Sequence, residues 1–169
     1  MPATLEGVRS LLANWLYGMV RAAEILGNDQ VFMRTAEEES LARWRRSRPP
    51  ARTPTPSSDP VDAAREYQGE LGREGFIDER DVRVQGAGGG VRVEIGASCP
   101  YRETCTWRHD EGRPVFCFRG IGTAETLRVA TGRSFDVRLE AFGVPCKILL
   151  RPSELGDEDH GDEEDPDVH

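Results

Sequence analysis

Hydrophobic residues recur with helical spacing in three stretches of the chain. From Thr4 to Gly27 the apolar positions follow a period close to 3.6 residues, which predicts a strongly amphipathic helix. Residues 30–46 combine good helix formers with a few apolar positions and predict a second helix. Asp59 and Pro60 match a helix cap followed by proline in the first turn, so a third helix is predicted over about residues 60–74.

A two-residue alternation replaces this period in the second half of the chain. Val82 and Val84 alternate with polar residues, as do residues 91–95, and glycine-rich residues 86–90 between them predict a β-hairpin. A helix is predicted over residues 121–131, and strands over residues 135–140 and 145–150. Strands in hairpin pairs with helices between them favour an α+β fold, with an antiparallel sheet of about four strands packed by helices and preceded by an N-terminal helical pair.

Changes in composition divide the chain into four segments. Four prolines in residues 47–58 predict an extended linker between the helical pair, residues 1–46, and an α+β domain, residues 59–152. The net charge of −8 comes from the end of the chain, where residues 154–169 hold nine acids and no lysine or arginine. Because like charges repel and few apolar residues are present, residues 153–169 are predicted to be a disordered acidic tail.

The same composition excludes several classes of protein. No apolar run approaches the roughly 20 residues that cross a bilayer, and no basic and apolar leader precedes a cleavage site, so we expect a cytoplasmic protein with reduced thiols and no membrane partner. The basic residues near Arg45 follow an acidic run and lack interleaved aromatics, so a nucleic-acid partner is not expected. An apolar stripe at Trp15, Leu16 and Met19 favours a homodimer through the first helix.

The cysteines are the strongest chemical signal. They are Cys99, Cys105, Cys117 and Cys146, with the spacing C-x5-C-x11-C-x28-C. Four thiols in a reducing compartment more often indicate metal binding or chemistry than disulfides, and four-thiolate sites hold zinc or an iron–sulfur cluster. The sequence therefore predicts a metal site on these four residues. Two other interpretations stay open: small buried side chains without function, and redox pairing of Cys99 with Cys105.

The predicted elements place these cysteines near one another. Alternation along the last strand puts Cys146 on the same buried face as Val144, and Cys117 lies near the start of a helix whose dipole favours a thiolate. Cys99 and Cys105 are expected to flank a turn after the second strand. Four arginines are expected to surround the thiols and offset their negative charge: Arg102, Arg108, Arg113 and Arg119.

Outside the cysteines the sequence offers no catalytic constellation. The three histidines fall on a predicted loop or on the acidic tail, so a Ser-His-Asp arrangement has no usable context. The sequence therefore favours a non-catalytic module that binds a small molecule or a metal. The alternative is a redox or enzymatic iron–sulfur protein that uses the same cysteines.

The C-terminal half also resembles a known family. The segment Cys117–Gly120 leads into a helix that closes at Ala130–Arg133, followed by the strand Phe135–Glu140 and a final strand that carries Cys146. In this order, residues 59–152 resemble the 4-vinyl-reductase-type domain, a small-molecule-binding module related to subunits of the TRAPP tethering complex. The resemblance implies a pocket between helices and sheet, a bound hydrocarbon-like ligand or metal, and a sensory or accessory role.

Overall fold

The computed structural model describes residues 5–47 and 59–153, and its elements follow the predicted order with one additional helix, α4. Nearly all of the predicted linker and of the predicted acidic tail lies outside these residues. The elements of the described residues are α1 (Leu5–Ile25), α2 (Asp29–Arg46), α3 (Pro60–Arg73), β1 (Val82–Ala87), β2 (Gly90–Ile95), α4 (Arg102–Asp110), α5 (Phe118–Thr131), β3 (Phe135–Ala141) and β4 (Cys146–Pro152).

The strands form one antiparallel sheet in the order β1-β2-β4-β3. Val91 pairs with Leu150 and Val93 with Ile148 across the two central strands, and all four side chains are fully buried. Because successive side chains of a strand point to opposite faces, this register places the apolar residues of both strands on one face. The predicted α+β class, with an antiparallel sheet of four strands packed by helices, is confirmed.

Helix α5 packs very closely on the buried face of the sheet. A Cβ at Gly120 would lie 2.6 Å from Val137 Cγ1 and 3.1 Å from Ile148 Cγ2, distances that only glycine permits. Leu127 lies about two turns further along the helix and is fully buried in the same core. The first turn of α5 is therefore held firmly against the sheet.

The N-terminal helical pair packs on the other helices. Leu41 of α2 and Tyr67 of α3 share a buried cluster, and Arg45 Nη2 donates a hydrogen bond to Thr126 Oγ1 of α5 over 3.2 Å. Helix α3 begins as predicted: the Asp59 side chain accepts hydrogen bonds from the backbone N–H groups of Val61 and Asp62. The helical pair predicted from the sequence is thus a layer of the fold rather than an isolated extension.

Two local predictions are wrong. Cys105 is expected beside a turn and His109 on a loop, yet both lie in α4, whose buried side chains are Thr104, Cys105 and Arg108. These residues have helical spacing, but two of the three are polar, so the hydrophobic pattern does not reveal the helix. Val144 does not share the buried face of the last strand: it precedes β4 and is 66% exposed.

Candidate functional site

All four cysteines line the same pocket, between α4, the start of α5 and the sheet. They come from four places: Cys99 from the turn after β2, Cys105 from α4, Cys117 from the residue before α5, and Cys146 from the first residue of β4. The free space between these side chains is small, about 20 Å³. The remaining lining is mostly apolar and consists of Ile95, Tyr101, Arg102, Val115, Phe118, Arg119, Leu139, Phe142 and Ile148.

The local structure fixes the position of each thiol. Cys117 caps α5, where its Sγ accepts a hydrogen bond from the Gly120 N–H over 3.3 Å, so its predicted place at a helix start is confirmed. Cys146 donates from Sγ to the Gly143 carbonyl oxygen over 3.2 Å. Cys105 is a buried residue inside α4, which corrects the expectation that it flanks a turn. Cys105 and Cys146 are therefore carried by a helix and a strand, Cys117 by the cap of α5, and Cys99 by the turn after β2.

Burial favours the protonated form of three of these thiols, those of Cys99, Cys105 and Cys117. It raises the pKa of Cys117 to about 12, and it also raises the pKa of Cys99 and Cys105. Neighbouring thiols act in the same direction, since a second negative charge in the pocket is unfavourable. At Cys117 desolvation therefore outweighs the helix dipole, which by itself favours a thiolate.

Two arginines belong to the pocket wall. Arg119 is 4% exposed, donates from Nη1 to the Tyr67 hydroxyl over 3.5 Å, and places its guanidinium 5.4 Å from the centre of the Tyr101 ring. Arg102 donates to two backbone carbonyl oxygens, over 2.6 and 2.9 Å. The Nε–H groups of both arginines are buried and have no hydrogen-bond partner within the described residues. Buried donors without partners are rare in proteins, so these two point to a function.

The other two expected arginines lie elsewhere. Arg108 is fully buried and donates from Nη2 to Glu24 of α1, and Arg113 Nη1 lies 3.2 Å from the same carboxylate. Neither residue lines the pocket. The expectation that all four arginines offset charge on the thiols is therefore wrong for Arg108 and Arg113. Both form ion pairs with Glu24, which is distant in the sequence.

The cysteine sulfur atoms are ligands of the kind that soft metals prefer, but they are not arranged as the ligands of a metal ion. Within residues 5–47 and 59–153, no three or more His, Cys, Asp or Glu side chains are arranged to hold a metal ion. A four-thiolate zinc site needs sulfurs roughly 4 Å apart, with Zn–S bonds of about 2.3 Å. The four thiols would therefore have to move closer together and lose their protons on metal binding.

Sequence reasoning missed a buried polar cluster beside the pocket. Glu37, Tyr67, Gln68, Arg119 and Thr123 converge from α2, α3 and α5, and Gln68 Nε2 donates to Thr123 Oγ1 over 2.9 Å. In the sequence Glu37 stands in an acidic run, residues 37–39, and is not marked as a buried residue. Its position four residues from a buried apolar residue on each side is the signal that could have placed it on the inner face of α2.

The fold and the pocket define an α+β protein in which helices and sheet enclose a cysteine-lined pocket. Comparison with protein-family models, curated proteins and solved structures finds no match to this chain. In the part of the chain that the structure describes, no helix has the length and apolar character needed to span a membrane.

Proposed function

We propose that this chain is a non-catalytic binding module that holds a zinc ion or an iron–sulfur cluster on Cys99, Cys105, Cys117 and Cys146. The observation that carries the proposal is their convergence: four separate elements deliver the four cysteines of the chain to one pocket. Four sulfur donors in a largely apolar wall are the ligand set of zinc and of iron–sulfur centres.

The two pocket arginines support this proposal. Four thiolates around a divalent ion carry a net negative charge, and a buried charge requires partners. Arg102 and Arg119 offer that charge, and each has a buried Nε–H without a partner in the described residues. Hydrogen bonds to sulfur ligands are a usual means of stabilising such centres. The pocket thus holds donors that an anionic centre would satisfy.

Elemental analysis of anaerobically purified protein tests the proposal. We expect one zinc or about four irons per chain in the wild type, and loss of the metal in Cys146→Ser. Val144→Ser is the matched control, because Val144 is exposed, outside the pocket and two residues away. A wild-type protein without zinc or iron, or metal retained in Cys146→Ser, would contradict a shared site.

The same preparation separates the two kinds of centre. A zinc protein is colourless, whereas an iron–sulfur protein is brown with visible absorbance. Absorbance that bleaches and returns on reduction and reoxidation would favour the alternative function, a redox or enzymatic iron–sulfur protein.

A small hydrophobic molecule is the second candidate ligand. Its support is the largely apolar lining of the pocket, which includes the aromatic rings of Tyr101, Phe118 and Phe142. The resemblance to 4-vinyl-reductase-type domains implies the same kind of ligand, with a sensory or accessory role. A cytoplasmic location, where thiols stay reduced, agrees with either ligand and remains part of the proposal.

We also propose that the protein forms a homodimer through α1. Val8, Leu11, Leu12 and Trp15 lie on one face of this helix and are 41 to 69% exposed, whereas Leu16 of the predicted stripe packs against the core. We expect light scattering to give twice the monomer mass, because this face is a contiguous apolar surface. Leu11→Glu should yield a monomer. Val31→Glu, which changes an exposed residue of α2 outside this face, is the control and should leave the dimer intact. A monomeric wild type would refute the proposal.

A further inference from the structure

Helix α1 carries an exposed stripe of apolar and small residues along nearly its whole length. The members recur at alternating intervals of three and four residues, which is the spacing of the contact positions in paired helices. Four members are large and 41 to 76% exposed, and the other two, Gly18 and Ala22, are exposed as well. The stripe consists of Val8, Leu11, Trp15, Gly18, Ala22 and Ile25.

The opposite side of α1 is packed against the rest of the protein. Ala13, Val20 and Ala23 are buried, and Thr104 of α4 donates a hydrogen bond from Oγ1 to the Ala13 carbonyl oxygen over 3.2 Å. The stripe therefore faces away from the core, and its exposure shows that no described residue covers it. A Cβ at Gly18 would have no atom within 4 Å. An apolar face of this kind marks an interaction surface.

The charges of α1 favour a protein helix over a membrane as the partner of the stripe. The helix contains two arginines and two glutamates, and Arg21 forms an ion pair with Glu24. Helices that lie on a membrane surface instead have a polar face rich in lysine and arginine. On α1 the side opposite the stripe packs against a buried apolar cluster. The stripe thus lacks the cationic surroundings that anionic lipids require.

The two halves of the stripe differ in size, and they complement each other. The N-terminal half ends with the bulky Trp15, whereas the C-terminal half begins with Gly18. If two copies of α1 pack antiparallel about a two-fold axis between these residues, each member faces the member at the same distance beyond the axis. The facing pairs are Trp15 with Gly18, Leu11 with Ala22, and Val8 with Ile25. Next to the axis, every large side chain therefore faces a small one.

We propose that α1 binds α1 of a second copy in antiparallel orientation, with Trp15 of each copy packed over Gly18 of the other. The inference rests on the proposed homodimer and defines its geometry. A parallel pair would press the two Trp15 side chains together and leave a gap between the two Gly18 positions. Close packing without voids or clashes favours the antiparallel order. Because the contact is two-fold, the assembly closes at two copies.

Disulfide cross-linking of the full chain tests the orientation. Leu11→Cys and Ala22→Cys are oxidised separately and as an equal mixture after subunit exchange. In the antiparallel pair the two substituted positions face each other, whereas the two copies of either position lie about 16 Å apart along the helices, too far for a disulfide. We expect a cross-linked dimer on a non-reducing gel only from the mixture. The wild type, with its four native cysteines, measures the background.

Gly18→Leu tests the packing of the pair. The open space at Gly18 accommodates leucine in the monomer, and leucine favours a helix more than glycine does, so circular dichroism should show a folded protein. In the dimer the leucine competes with Trp15 for space, and we expect the dissociation constant from sedimentation equilibrium to rise at least about tenfold. Adding Trp15→Ala should recover part of the loss, because a small side chain again faces a large one.

Ser10→Leu is the matched control for this substitution. Ser10 is exposed on α1 but lies outside the stripe, so the same added side chain should leave the dissociation constant close to that of the wild type. An equal loss of affinity in Ser10→Leu would refute the proposed contact, since the effect would not depend on position.

The outcomes separate this inference from the proposed homodimer. A monomeric wild type refutes both. A dimer in which Leu11→Cys cross-links by itself, or which Gly18→Leu strengthens by filling a gap, has parallel helices and refutes the antiparallel pair alone. A dimer that shows no cross-link in the mixture and no response to Gly18→Leu uses another surface and refutes both. No residue of α1 lines the cysteine pocket, so the proposal for its ligand stands or fails separately.

Discussion

Glu24→Ala is expected to lower the free energy of unfolding by about 3 to 4 kcal/mol, because it leaves a fully buried arginine without its counterion. Arg108 is 0% exposed, donates to Glu24 from Nη2 and to the Pro114 carbonyl oxygen from Nε over 2.8 Å, and lies 4.8 Å from the centre of the Phe116 ring. Urea denaturation at neutral pH measures the loss.

Two variants serve as controls for this prediction. Glu6→Ala, an exposed glutamate on the same helix, should change stability by no more than about 0.5 kcal/mol. The double variant Glu24→Ala, Arg108→Met should be more stable than Glu24→Ala alone, since it removes the unpaired charge as well. A single variant within about 1 kcal/mol of the wild type would show that Arg108 does not depend on Glu24.

The contribution of Glu24 depends on pH in a defined direction. Burial alone would raise its pKa, but hydrogen bonds from Arg108 and Arg21 reverse this and lower the pKa below 4.5. A lowered pKa in the folded state stabilises the protein above the unfolded value and loses that effect as pH falls. The difference between wild type and Glu24→Ala should therefore shrink in acid.

Gly90→Ala is expected to cost about 3 kcal/mol or more, because the added methyl group has no space. A Cβ at Gly90 would lie 2.2 Å from the Leu150 carbonyl oxygen and 3.3 Å from Arg151 Cα, so it would meet backbone and not a movable side chain. The contact lies where β2 begins to pair with β4. The central strand pair would have to separate there.

Gly86→Ala is the matched control for this substitution. It lies in the same hairpin, and its Cβ would meet only Val61 Cγ2 at 3.7 Å, an ordinary contact. We expect its midpoint in thermal denaturation to stay close to that of the wild type, while the midpoint of Gly90→Ala falls by about 6 to 12 °C or more. Equal midpoints for the two variants would contradict the close approach of β2 and β4.

The sequence by itself determined the elements whose pattern is local. Alternating apolar residues in β1 and β2 around a glycine turn fix the hairpin, and Asp59 with Pro60 fixes the start of α3. These signals depend on backbone geometry within a few residues, so the antiparallel α+β class and most element bounds can be read directly from the chain.

Only the tertiary structure decided which distant side chains meet. The pattern of α4 is too polar to reveal a helix, and the partner of Arg108 lies 84 residues away in α1. The convergence of the four cysteines likewise depends on how α4 and α5 pack against the sheet. Packing selects such pairs by shape and by the need to compensate buried charge, and neither leaves a periodic signal in the sequence.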